Sequence, residues 1–175
     1  MNVHSAMRIS VIAVAVFAAG CGRSTNDPPA AAVQNYLDRQ AIETTLVRYS
    51  TGLDTFDADL YASAFTDDAE FGMEGQAHRG RDEIRKVITD MVADRAKRAA
   101  DEDPKNDPPV SMHHVMTNAI IDITSPTTAT HRSYWMTVNG GPDMYSFRIA
   151  AQGRYEDELV KRDGQWLIHR RKILN

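Results

Sequence analysis

Cysteine is nearly absent from this sequence: Cys21 stands alone, so neither an intrachain disulfide nor a thiolate metal cluster is available. Positive charge is not in excess, because 20 Lys and Arg face 24 Asp and Glu for a net charge of -4. That balance argues against nucleic acid as a partner and against binding to an anionic lipid surface by charge alone. Long apolar runs are missing too. The longest, Val11 to Ala19, is about half of the roughly 20 residues that a membrane-crossing helix needs. No internal repeat or low-complexity tract is visible, and the mixed-sign stretch "DEDPKND" (101–107) reads as a solvated loop rather than a binding tail. What remains, 42% hydrophobic and 25% charged residues, is the composition of one globular domain plus a short appendage.

The short apolar run has a use of its own. Arg8 precedes it and "AAGC" (18–21) closes it, which is the layout of a secretory signal whose small residues lead directly into the only cysteine. This resembles a bacterial lipobox. The resemblance implies that residues 1–20 are removed and that Cys21 becomes a lipid-modified N-terminus. Residues 21–32, polar and proline-containing, would then be a tether. The expected location is the cell envelope, lipid-anchored on its periplasmic or extracytoplasmic face, with the membrane engaged only through Cys21.

Residues 33–175 carry the periodicity of a folded domain. Ile42, Leu46, Tyr49 and Leu53 fall at i, i+4, i+7 and i+11, so the spacing predicts a helix over about 33–52 with Tyr49 pointing inward and Asp54 beside the same interior. Thr55 or Asp57 can cap a second, shorter helix within 55–65. Glycines in 69–75 suggest a short pair of strands, and Ile84, Val87, Ile88, Met91 and Val92 mark a third, amphipathic helix. The period then changes to two. Residues 110–123, 128–138, 144–162 and 165–174 read as four antiparallel strands, the last two joined by the hairpin dipeptide Asp163-Gly164. Helices first and strands later imply an α+β fold with helices on one face of a curved sheet.

Alternation assigns faces. On the first long strand the odd residues include Val115, Ile121 and Ile123, so His113 is expected inside and His114, Met112, Met116 and Ile120 outside. On the third, the odd set from Phe147 to Leu159 is expected inside, Tyr155 and Asp157 included. Arg170 and Arg171 are expected to pair with surface acids, and Trp166 to pack. The apolar residues on the outward face, Met112, Met116 and Ile120, suggest a homodimer contact.

The order "YSTGLD", "DADLYASAFTDDAEF", "GRDEIRKVI", "HHVMTNAIID", "ATHRSYW" and "GRYEDELVKRDGQWLIHRRKI" resembles the SnoaL-like branch of the nuclear transport factor 2-like superfamily, across residues 33–175. The resemblance implies a cone-shaped curved antiparallel sheet packed against three N-terminal helices, and dimerisation as the family habit. Within it, dehydratases resembling bile-acid 7α-dehydratase and scytalone dehydratase supply a site pattern of Tyr, Asp and His. Residue by residue this implies Tyr49, Asp54 and His113 as the catalytic set. The second His and the Asn of the scytalone type find no secure match. Strand alignment puts Tyr134 and Tyr155 near those positions, with Trp135 and His131 as register alternatives, so Tyr155, Tyr134 and Trp135 become candidate substrate-binding residues.

Such a set suits elimination of water beside a carbonyl, or a double-bond shift. A histidine oriented by a carboxylate moves the proton, and a phenol in an apolar cavity donates to the enolate. No cofactor is required. A metal is not expected either, because His113 and His114 are adjacent strand residues facing opposite sides. The expected ligand is a small apolar or aromatic carbonyl compound. The alternative is a non-catalytic ligand-binding or assembly module tethered to the envelope.

Overall fold

The computed structural model describes residues 29–73, 75–101, 111–141, 143 and 145–175; the expected signal, Cys21 and most of the tether lie outside the described residues. Three helices come first: α1 (Ala30–Asp54), α2 (Ala58–Ala62) and α3 (Arg81–Asp101). Between α2 and α3 run the strands β1 (Phe65–Met73) and β2 (Gln76–Arg79). After α3 follow β3 (Met112–Ser125), β4 (Thr128–Gly140), β5 (Phe147–Arg162) and β6 (Gln165–Leu174). They form one sheet in the order β2-β1-β6-β5-β4-β3. Neighbours pair antiparallel except β1 and β6, which run parallel.

The corner between α1 and α2 explains how Asp54 is held. Phe56 takes φ +55, donates its N–H to the Leu53 carbonyl, and Asp57 N–H returns to Gly52 O. These two bonds are a Schellman turn, which satisfies the orphan carbonyls at the end of α1. Asp57 then caps α2 by accepting from Leu60 N–H. Gly52 permits the close crossing, since a Cβ there would lie 2.4 Å from the backbone nitrogen of Tyr61. The short helix spans 58–62, inside the expected stretch, because the turn uses up the first residues.

Ile42, Leu46, Tyr49 and Leu53 are buried on the face of α1 that meets the sheet, as their spacing predicts. With Phe65, Phe71, Ile84, Ile88, Leu159 and Ile168 they form one core. Each fully buried side chain of this size contributes about 1.5–3 kcal/mol. Asp38 fastens the far end of α1 to the last hairpin, accepting from Trp166 Nε1 at 2.9 Å and Lys161 Nζ at 2.8 Å. Burial opposes its ionisation, but the hydrogen bonds from Lys161, Trp166 and Gln34 outweigh burial and hold the carboxyl below its ordinary range.

Two β-bulges decide which side chains face the core. On β3, Thr117 pairs with Tyr134 but Ile120 pairs with Arg132, so β3 spends three residues where β4 spends two. Asn118 lies in this bulge with φ +54. Side chains change faces across such an insertion. Ile121 and Ile123 therefore face inward as odd residues, while upstream the even residues Met112, His114 and Met116 do so. The second bulge lies between Thr137 and Val138, whose partners on β5 are Ala151 and Ile149. It turns Phe147 and Ile149 outward, 70% and 60% exposed, against the inward expectation. The expectation that Met112 and Met116 form an outer contact is corrected in the same way: both are partly buried against the core.

Candidate functional site

His114, not His113, meets the carboxylate. Its Nδ1 lies 2.6 Å from Asp54 Oδ1, and its backbone N–H donates to both Asp54 oxygens at 2.9 Å. The other ring nitrogen, Nε2, lies 3.1 Å from Thr137 Oγ1 on the neighbouring strand. His113 is exposed on the opposite side of β3. The β3 bulge is the reason: an odd-inside pattern read from Ile121 and Ile123 does not hold upstream of Asn118. Asp54 itself sits at the C-terminal end of α1, where the helix has no basic residue in its last turn. Its carboxylate thus stands at the negative end of the helix dipole.

The pair is enclosed without being sealed. The His114 side chain is 7% exposed and that of Asp54 19%. Asp54 opens on a cleft of about 490 Å³ lined by Thr51, Thr55, Phe56, Arg95, Ser111 and Met112, with His113 at its rim.

Tyr49 occupies a second polar cluster, deeper in the fold. Its hydroxyl lies 3.3 Å from that of Tyr155, and among the described residues no hydrogen bond joins it to Asp54 or His114. Trp135 stands between the clusters: its ring stacks on Tyr155 at 5.5 Å and lies 6.3 Å from the His114 ring. The indole lies over Gly153, where a Cβ would come within 3.0 Å of Trp135 Nε1. Glycine thus permits the flat seat of this ring. Tyr155 faces inward as expected, and so does Trp135, the register alternative. Tyr134 does not; it is 54% exposed on the outer face, because β4 alternates without a bulge from Ala129 to Thr137.

Beneath the tyrosines lies an ionic row absent from the sequence expectations. His131, Asp157 and Arg171 are register partners on β4, β5 and β6. Arg171 donates from Nε and Nη2 to the two Asp157 oxygens at 2.8 and 2.6 Å, and His131 Nδ1 lies 2.6 Å from Asp157 Oδ2. All three side chains of this row are fully buried. The guanidinium is sandwiched between Tyr49 and Tyr155, 4.0 and 4.1 Å from their ring centroids. This corrects the surface pairing expected of Arg171; Arg170 does pair with an exposed acid, Glu158. Burial disfavours the Asp157 carboxylate, but Arg171 and then His131 more than compensate, so the group stays below the ordinary carboxylate range. Burial, reinforced by Tyr49, pushes the Tyr155 phenol up, so it remains a neutral donor.

Several inward polar atoms have no partner among the described residues, namely His131 Nε2, Ser133 Oγ, Trp135 Nε1, Asn139 Oδ1 and Arg171 Nη1. They give the buried core a polar lining along the inner face of β4 and at Arg171 of β6. The described residues include no group of three His, Cys, Asp or Glu side chains placed to hold a metal ion. The lining was hard to read because Ser, Trp and Asn on a strand look like ordinary packing. The one available signal was the odd spacing of His131, Ser133, Trp135 and Thr137 opposite Tyr155 and Asp157.

Asp38 and Asp157 set the acid limit of stability. Their folded values lie below the unfolded carboxylate value of about 3.9. Their contribution is therefore fully present above about pH 4 and is lost as pH falls through the lower folded values. Urea midpoints measured across an acid titration are expected to fall below about pH 4. A flat profile down to about pH 2 would contradict this assignment.

Comparison with known proteins agrees with this fold. The SnoaL-like domain family matches residues 34–172. Among solved structures, Rv3472 of Mycobacterium tuberculosis, a protein of unknown function, is 26% identical with a TM-score of 0.65, over 82% of this chain and 75% of that one. A Novosphingobium aromaticivorans protein whose scytalone dehydratase assignment is itself provisional is 26% identical with a TM-score of 0.59, over 81% and 86%. A second protein from that organism, NTF2-like with a cystatin-like fold, is 19% identical with a TM-score of 0.63, over 82% and 85%. Matched over nearly all of its described length, the chain belongs to the SnoaL-like domain family.

Proposed function

We propose that this protein is a cofactor-independent lyase or isomerase, dehydratase-like, acting on a small carbonyl compound of largely apolar skeleton. The observation that carries the reading is the 2.6 Å contact between His114 Nδ1 and Asp54, at the edge of an open cleft. The likeness to a provisional scytalone dehydratase supports the same class. With Nδ1–H donated to Asp54, His114 Nε2 is the basic nitrogen once the Thr137 hydroxyl gives way to the ligand. It takes the proton α to the carbonyl, and the C–H electron pair moves into the enolate. The enolate re-forms the carbonyl as a double bond forms between the α and β carbons and the β C–O bond breaks. The imidazolium proton goes to the departing hydroxyl, which leaves as water. In an isomerisation the same proton returns to the γ carbon instead. Trp135, which separates the pair from Tyr49 and Tyr155, offers its ring to the ligand, and the two phenols lie behind it.

The test is a screen of β-hydroxy ketones and β,γ-unsaturated ketones, read by the ultraviolet absorbance of the conjugated enone. Enone formation by the wild-type protein is expected. Ligands that bind and are never turned over would favour the second reading, a non-catalytic binding module. The specific observation on that side is Thr137, whose hydroxyl already occupies the position 3.1 Å from Nε2.

Cys21 is proposed as a lipidated N-terminus at the cell envelope, on the strength of the "AAGC" pattern; Cys21→Ser is expected to move the protein from the membrane fraction to the soluble one. A homodimer is proposed through the outer sheet face, where Val115, Tyr134, Phe147 and Ile149 are exposed together. Light scattering at micromolar concentration is expected to give twice the chain mass, and Ile149→Glu to give the monomer. A wild-type monomer would remove the dimer from the account.

A further inference from the structure

A cation stands at the mouth of the cleft, and the acid–base chemistry gives it no task. Arg95 projects from α3 with its guanidinium over the Phe56 ring, 5.1 Å from the centroid. Both residues line the cleft onto which Asp54 opens.

Phe56 is the informative half of this pair. It occupies the left-handed position of the Schellman turn, φ +55, where glycine is the ordinary occupant and a side chain brings a backbone penalty. The ring offsets that penalty by packing, half-buried, against the core on one side and under Arg95 on the other. A guanidinium seated on an aromatic face keeps its N–H edge available to a planar two-oxygen acceptor. Asp54 is already committed elsewhere, since its oxygens accept from the backbone and ring of His114. Among the described residues, the other polar ones at the cleft are Thr51, Thr55, Ser111 and His113.

We infer that Arg95, backed by Phe56, binds a carboxylate carried by the ligand whose reacting carbon sits at the Asp54–His114 pair. The inference rests on the reading of this cleft as the mouth of the ligand site. It narrows the substrate class from any small apolar carbonyl compound to an aromatic or alicyclic keto acid, with the acidic tail held outside and the carbonyl within.

Two fluorescent probes, 6-acetyl-2-naphthoate and its methyl ester, separate the tail from the skeleton. Calorimetric titration of the wild-type protein is expected to show the acid binding about tenfold more tightly than the ester, with the preference shrinking as salt is added. Arg95→Gln is expected to erase the preference while leaving the affinity for the ester unchanged. Phe56→Gly is expected to weaken the preference while thermal stability holds or rises, which separates loss of the platform from loss of folding. His114→Gln is expected to keep the preference whatever becomes of turnover, so failure of the acid–base chemistry and failure of tail recognition register separately. Equal binding of acid and ester by the wild-type protein, binding of neither, or a preference that survives Arg95→Gln would overturn the inference.

Discussion

His114→Ala is expected to lower kcat/KM for enone formation by about 10²–10⁴, almost entirely in kcat, while His113→Ala leaves it essentially unchanged. The two histidines are neighbours in sequence and opposites in space. One ring is bonded to Asp54 at one nitrogen and to Thr137 at the other; the other ring is exposed across the sheet. Asp54→Asn is expected to lose a comparable factor, because an amide at that position no longer balances a proton on the imidazole. Steady-state rates of the three variants on a substrate found by the screen check this. Equal losses at positions 113 and 114 would mean that the site lies somewhere else.

Asp157→Ala is expected to cost about 3–5 kcal/mol of stability, among the largest losses a single substitution produces. Arg171 loses both of its Asp157 acceptors and His131 loses its only partner among the described residues, while the guanidinium stays buried between two phenol rings. The loss reflects the stranded charge, not the net worth of the pair. Replacing His131, Asp157 and Arg171 together by apolar residues of similar volume is therefore expected to recover much of it. Urea unfolding followed by tryptophan fluorescence measures both. If Asp157→Ala lost under about 1 kcal/mol, the row would not be the closed ionic unit described.

Much of this architecture was legible in local patterns, and what was missed has a definite origin. The α1 stripe and the Asp163-Gly164 hairpin depend on periodicity and turn chemistry within a few residues. Both are found, with Asp163 and Gly164 at φ +50 and +79. Asp54 was legible for the same reason, being fixed by the end of its own helix. His114 was not, because strand alternation is a parity argument and a single inserted residue reverses it. Asn118 at φ +54 is the insertion, and nothing in "VMTNAIID" distinguishes a bulge from continuous strand. A second bulge, opposite Thr137 and Val138, placed Phe147 and Ile149 outside in the same way. Arg171 was missed for a different reason. Burying a guanidinium needs a carboxylate from β5 and two aromatic faces at once, and that meeting is set by the sheet register rather than by the neighbours of Arg171 in sequence.

The account depends on the imidazole at position 114 exchanging protons with a bound ketone under the control of the acid on α1. Proton NMR of 1-tetralone in deuterated buffer reads this directly, as disappearance of the signal from the carbon beside the carbonyl. Wild-type protein and His113→Gln are expected to accelerate that disappearance well above buffer, and His114→Gln and Asp54→Asn to leave it at the buffer rate. A wild-type protein that binds tetralone yet exchanges at the buffer rate, or variants at 54 and 114 as fast as wild type, would contradict the account.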